Sequence, residues 1–144
     1  MNCVNWTGAD VFCRWVGGRL PTEAEWNGEV FNGGARTWPW GNAPNLACSH
    51  AVMNESVSGG RGCGQDRTWP VCSKRSGDNV SGLCDVSGNV EEWTQTAFDS
   101  NNRVVRGGSW IDGLQRNFEA TARRRQEPAF KLIDVGFRCV KDTP

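Results

Sequence analysis

Apolar residues recur at helical spacing near the start of the chain. Ala9, Phe12, Cys13 and Val16 share one helical face. Thr7 stands as the cap, and Gly17-Gly18 stops the segment after Val16. A second helix is predicted where Thr22 and Glu25 form a capping box, each side chain satisfying a backbone N–H freed at a helix start. It should be short, because Gly28 and then Gly33-Gly34 weaken its continuation. From residue 32 to 82 the pattern dissolves into Gly, Pro, Asn and Ser, which predicts ordered loops anchored by Trp38, Trp40, Trp69 and four cysteines. Strands are predicted at Asn89–Thr96, Arg103–Trp110 and Val135–Val140, where β-formers sit beside Gly or Asn.

Composition explains how so irregular a chain builds a core. The 144 residues suit one domain. Eight Trp residues compensate for few aliphatic ones, and their indole N–H groups need acceptors that a loop-rich fold supplies as backbone carbonyls. Trp38 and Trp40 belong in that core. A net charge of zero argues against a nucleic-acid partner. No apolar run approaches the roughly 20 residues of a membrane span.

Seven cysteines occur without a C-x-x-C pair, and His50 is the single histidine. Zinc ligation and Cys-His or Ser-His hydrolysis are thereby disfavoured, and His50 reads as an ordinary loop residue. Disulfides in an oxidising compartment account better for the cysteines and predict an extracytoplasmic protein, periplasmic, cell-surface or secreted. Sequons occur at Asn5, Asn54 and Asn79.

Five ordered segments then resemble the formylglycine-generating enzyme, or sulfatase-modifying factor, family. They are Gly17-Gly18-Arg19-Leu20-Pro21-Thr22-Glu23-Ala24-Glu25-Trp26, Trp38-Pro39-Trp40-Gly41-Asn42, Gly82-Leu83-Cys84-Asp85-Val86-Ser87-Gly88-Asn89-Val90-Glu91-Glu92-Trp93, Arg106-Gly107-Gly108-Ser109-Trp110 and Gly136-Phe137-Arg138-Cys139. The resemblance implies an α+β, C-type-lectin-like fold, rich in loops, with two short N-terminal helices and a small antiparallel sheet. Residues 1–144 would be a single domain of this type that lacks its N-terminal part.

The resemblance also implies structural calcium, a hard cation that takes carboxylate and carbonyl oxygens. Asp85 and Glu92 would supply side chains, and Gly88 and Val90 carbonyls. A second site would begin at Asn45 and Leu46, with Asp66 as its acidic partner. The active enzymes of the family oxidise a sulfatase cysteine with oxygen and copper(I), held by two thiolates five residues apart after the Gly-Gly-Ser-aromatic motif. No Cys lies between Trp110 and Cys139 here. Asp112 stands at the first thiolate position, and the second falls where the chain reads as shortened. A carboxylate is a poor ligand for copper(I), so copper and the oxidase activity are not expected. A related branch needs three His for iron, which this chain lacks.

The resemblance pairs Cys13 with Cys139, while the positions of a second family disulfide hold Val30 and Ala120. The middle cysteines allow three pairings; short loop closure favours Cys48–Cys63 with Cys72–Cys84 and leaves Cys3 over. Two functions follow. One is a degenerate family member without cysteine oxidase activity. The other is a non-catalytic domain binding a protein or peptide, through a surface including Asp112, Arg116 and Arg123. Variable proteins of diversity-generating retroelements also resemble this family, and their varied positions fall between Gly-Gly-Ser-Trp and Gly-Phe-Arg. Here that interval includes Ile111, Leu114, Phe130 and Ile133.

Overall fold

The computed structural model describes residues 1–43 and 46–142. Helix α1 spans Trp6–Trp15 and α2 spans Glu23–Phe31. Strands β1 (Glu91–Ala97), β2 (Arg103–Arg106), β3 (Arg124–Gln126) and β4 (Val135–Gly136) form one sheet in the order β3-β2-β1-β4. Between α2 and β1, the described chain holds two single 3₁₀ turns, Ser56–Ser58 and Arg75–Gly77, and the isolated bridges Trp38–Gly41 and Glu55–Gly60.

The sheet is mixed, which corrects the antiparallel expectation. β1 pairs antiparallel with β2 and β2 with β3, but β4 runs parallel to β1, with Glu91 beside Val135 and Glu92 beside Gly136. The predicted Val135–Val140 strand shortens to two residues because Val140 instead bridges to Arg19. β3 was not anticipated. Its Arg-rich sequence carries no strand pattern, and pairing with Val104 and Val105 creates it.

Helix α1 starts one residue before Thr7. Asn5, one of the sequon residues, is the cap, accepting the Gly8 N–H. The capping box of α2 forms as the sequence indicates. Glu25 accepts the Thr22 backbone N–H at 2.8 Å, and Thr22 Oγ1 accepts the Glu25 N–H at 3.2 Å. Asn32, in the left-handed conformation, closes α2. Asn79 is buried, donating to Glu29 O and accepting from the Ser81 and Leu83 amides.

Three apolar clusters make up the core. α1 contributes Ala9 and Cys13 to the first, with Leu20, Trp93, Val105 and Val135. The second joins Trp26, Val30 and Phe31 of α2 to Val86, with Ala120 packed against it. Val30 and Ala120, where the family's second disulfide would lie, thus fall in one apolar cluster. Trp38, Cys48, Met53 and Phe118 form the third, flanked by Trp40. Five indoles donate to oxygens: Trp6 to Thr94 O, Trp26 to Glu92 Oε2, Trp93 to Val4 O and Trp110 to Ile133 O, all far along the chain, and Trp69 to Gly62 O, seven positions away.

Disulfides link Cys13–Cys139, Cys48–Cys63 and Cys72–Cys84, and Cys3 is free. The first spans 126 positions and joins α1 to the segment after β4. In the chain-entropy account a loop of that size stabilises the fold by roughly 5 kcal/mol.

The capping box is also an ion pair. Arg19 donates to both Glu25 oxygens at 2.8 and 2.6 Å. This guanidinium, with the Thr22 N–H, holds the Glu25 carboxyl down at about 2. The folded value lies below the ordinary 4.5, so the pair's stabilisation is full above pH 4.5 and is lost as pH falls toward 2. With the Glu25 side chain 41% exposed, solvent screening keeps this below about 1 kcal/mol. Urea unfolding of wild type and Glu25→Gln from pH 6 to 2 should show their stability gap closing in that window. A gap independent of pH would contradict the assignment.

Candidate functional site

The segment before β1 turns back on itself at Gly88, with φ +83°. A Cβ there would lie 2.7 Å from Val52 O and 3.0 Å from Ala51 Cβ, so only glycine lets the turn sit against residues 51–52. The turn brings Asp85, Val90 and Glu92 to one open cavity of about 460 Å³, also bordered by Trp69, Cys72, Cys84, Asn89 and Arg138.

Glu92 is buried and already carries a cation. Arg138 donates through Nε to Oε2 and through an Nη to Oε1, both at 2.6 Å, and Trp26 Nε1 donates to Oε2 at 2.7 Å. Burial opposes the Arg138 charge, but Glu92 and then Asp85 outweigh it and push its pKa up. Asp85 Oδ2 accepts the Cys72 N–H at 2.6 Å. Burial raises the Asp85 pKa, against that N–H and Arg138.

The donors suit calcium in kind. A carboxylate offers about four lone-pair sites. Three donors occupy Glu92, two on Oε2 and one on Oε1, which leaves Oε1 able to serve a metal beside Arg138. The second expected site does not gather in this way. Asn45 lies outside the described residues, Leu46 packs against the Trp38 cluster, and Asp66 is exposed and paired with Arg61 at 3.2 Å.

The loop after Ser109 contains the position expected for copper. Asp112 accepts from Ser109 N at 3.0 Å, Ser109 Oγ at 2.7 Å and Asn117 Nδ2 at 2.8 Å. Asn117 stands five residues after Asp112, on the 3₁₀ turn Gln115–Phe118. Asp112 stands at the first thiolate position, committed to these hydrogen bonds, and a carboxylate does not fit copper(I).

Glu91 lies close by, missed in the sequence because nothing local marks a buried carboxylate. It is 2% exposed and 3.1 Å from an Arg124 Nη, an ion pair without hydrogen-bond alignment. Burial pushes its carboxyl up to about 8, against Arg124, and Asp112 and Asp134 add to the rise.

The proposed ligand-surface residues separate. Asp112 is committed internally. Arg123 forms two hydrogen bonds to Glu23, at 3.0 and 2.8 Å, and lies over the Phe98 ring. Arg116 is exposed. His50 contacts Ser49 Oγ through Nδ1 and lies against the Trp40 ring, and burial lowers its pKa.

Residues 1–143 match the sulfatase-modifying factor enzyme 1-like domain, and the chain belongs to that family. It is 33% identical over 150 residues to the cattle (Bos taurus) protein named inactive C-alpha-formylglycine-generating enzyme 2, covering 94% of this chain and 48% of the relative. The chain thus spans about half the length of the curated relatives it matches. Among solved structures, PvdO from Pseudomonas aeruginosa superposes with a TM-score of 0.75 at 20% identity, covering 94% of this chain and 59% of the other. The Treponema denticola variable protein 1 gives 0.66 at 28% identity, covering 83% and 45%.

Asp112 is the acceptor for fully buried Ser109. Asp112→Ala should therefore cost about 1–3 kcal/mol in urea unfolding, the usual penalty for stranding buried donors. A change under about 0.5 kcal/mol, the scale of a neutral surface substitution, would show that these bonds do not hold the loop.

Proposed function

We propose that this chain is a degenerate member of its family, without copper-dependent cysteine oxidase activity, serving as an extracytoplasmic binding domain for a protein or peptide. The observation that carries the first part is Asp112 at the first thiolate position, committed to Ser109 and Asn117, with no Cys between Trp110 and Cys139. Copper(I) chemistry needs soft ligands, and a carboxylate is a hard one. The relative named inactive supports the same reading. Three disulfides support folding in an oxidising compartment. No helix among the described residues is long and apolar enough to cross a membrane.

Exposed side chains between the Gly-Gly-Ser-Trp and Gly-Phe-Arg motifs support the binding role. Leu114, Phe130 and Ile133 are each more than half exposed, with Arg116 in the same interval. Trp110 Nε1 donates to Ile133 O, which ties the two ends of the interval together. Large apolar groups beside a guanidinium suit a protein surface. The likeness to a variable protein favours a second reading, a retroelement-diversified binder. A near-identical template repeat beside a reverse-transcriptase gene would support it, and a gene without one would count against it.

Incubation with a sulfatase-type peptide, oxygen and copper(I) should yield no formylglycine by mass spectrometry. Formylglycine that disappears on copper chelation would overturn the proposal.

Calcium, in this reading, is held by Asp85 and Glu92 with the carbonyls of Gly88 and Val90, and it cross-links the turn to β1. A site filled at 100 times its dissociation constant adds about 2.7 kcal/mol when the unfolded chain does not bind. Melting curves with calcium and with chelator should separate, and Asp85→Asn should bring them together. Coincident curves for the wild type would remove calcium from this reading.

A further inference from the structure

The rim of the 460 Å³ cavity carries a donor set of which the calcium reading uses only Asp85. The sulfurs of Cys72 and Cys84 and a carboxylate oxygen of Asp85 lie within 4.8 Å of one another. Asp85 is held there by its own backbone, in the left-handed region at φ +52°, and by the Cys72 N–H on Oδ2. All three residues border the open cavity, so a small solute reaches them.

This disulfide is also the accessible one. Cys72 and Cys84 are both half-buried, whereas each other pair has a buried member, Cys13 at 0% and Cys48 at 7% exposure. Its loop of 12 positions is much shorter than the 126 closed by Cys13–Cys139, so opening it releases less chain entropy. Exchange starts with thiolate attack on a sulfur, which needs access.

We propose that a dithiol reductant converts the Cys72–Cys84 disulfide into a site for a zinc-class divalent cation, held by both thiolates and Asp85. The step balances: two reductant thiols become a disulfide, and the Cys72–Cys84 bond takes up two electrons and two protons. Cation binding then releases the two thiol protons. Thiolates with one carboxylate are a zinc-type set, and a water in the cavity completes the tetrahedron. Ligand atoms about 2.0–2.3 Å from one zinc lie under ~4 Å apart. Side-chain rotation closes the remaining distance. The site goes beyond the calcium reading and shares only Asp85 with it, so the two cations exclude each other at that carboxylate.

The test uses a Cys3→Ser background, which removes the free thiol. Limited dithiothreitol treatment, alkylation and peptide mapping should find Cys72 and Cys84 opened first. After anaerobic removal of reductant, cobalt(II) should bind at one equivalent with a thiolate-to-metal charge-transfer band, displaced by zinc(II). The oxidised protein should show no band. Asp85→Asn should weaken cobalt binding at least tenfold. Cys72→Ser with Cys84→Ser should abolish it, while circular dichroism confirms a fold kept by the other two disulfides. The proposal is overturned by earlier opening of Cys13 or Cys48, by no band in the reduced protein, by a band surviving the double substitution, or by unchanged affinity in Asp85→Asn.

Discussion

The carboxylate of Glu92 is where the separate parts of this molecule meet. It lies on β1, accepts from Trp26 of α2 and pairs through both oxygens with Arg138, next to the cysteine that reaches α1. An uncompensated carboxylate buried at this depth would cost several kcal/mol. The surrounding chain is therefore bound to deliver its donors: α2 must present Trp26, and the segment after β4 must run alongside β1. Arg106 repeats the device from β2, pairing with Glu23, accepted by Asn27 and Ala120, and lying over the Trp26 ring. Two buried charge networks thus orient α2 on the sheet where regular secondary structure is scarce.

That logic separates what the sequence disclosed from what it concealed. The capping box, the irregular stretch from 32 to 82 and the short-loop disulfides were legible because each depends on residues close in sequence. The Asn5 cap was local too, but Thr7 offered an equally plausible hydroxyl, and Asn5 lay inside a sequon. β3 and the parallel pairing of β4 were not legible, since their partners are supplied by distant strands and their own sequences carry no alternation. The roles of Glu91 and Glu92 were hidden for the same reason. From the sequence Glu92 reads only as a calcium ligand and Glu91 has no role; Arg124 and Arg138, which pair with them, arrive from far along the chain.

The family scaffold and the family chemistry separate physically in this chain. The motifs that place α2, β1 and the Gly-Gly-Ser-Trp turn hold buried networks, so their loss would unfold the domain. The first thiolate position stands on a loop whose geometry needs only a satisfied hydrogen-bond network. Asp112, Ser109 and Asn117 provide that network without sulfur. The loop is therefore held, and the fold intact, without a thiolate.

The Cys13–Cys139 bond makes most of the chain a covalent ring. A protease that cuts one peptide bond inside that ring, in the long irregular stretch for instance, opens it without releasing a piece. The two halves stay tethered, and the cut becomes visible only when the sulfur bridges are reduced. A domain built this way survives a single nick in its loops with its surfaces still held together.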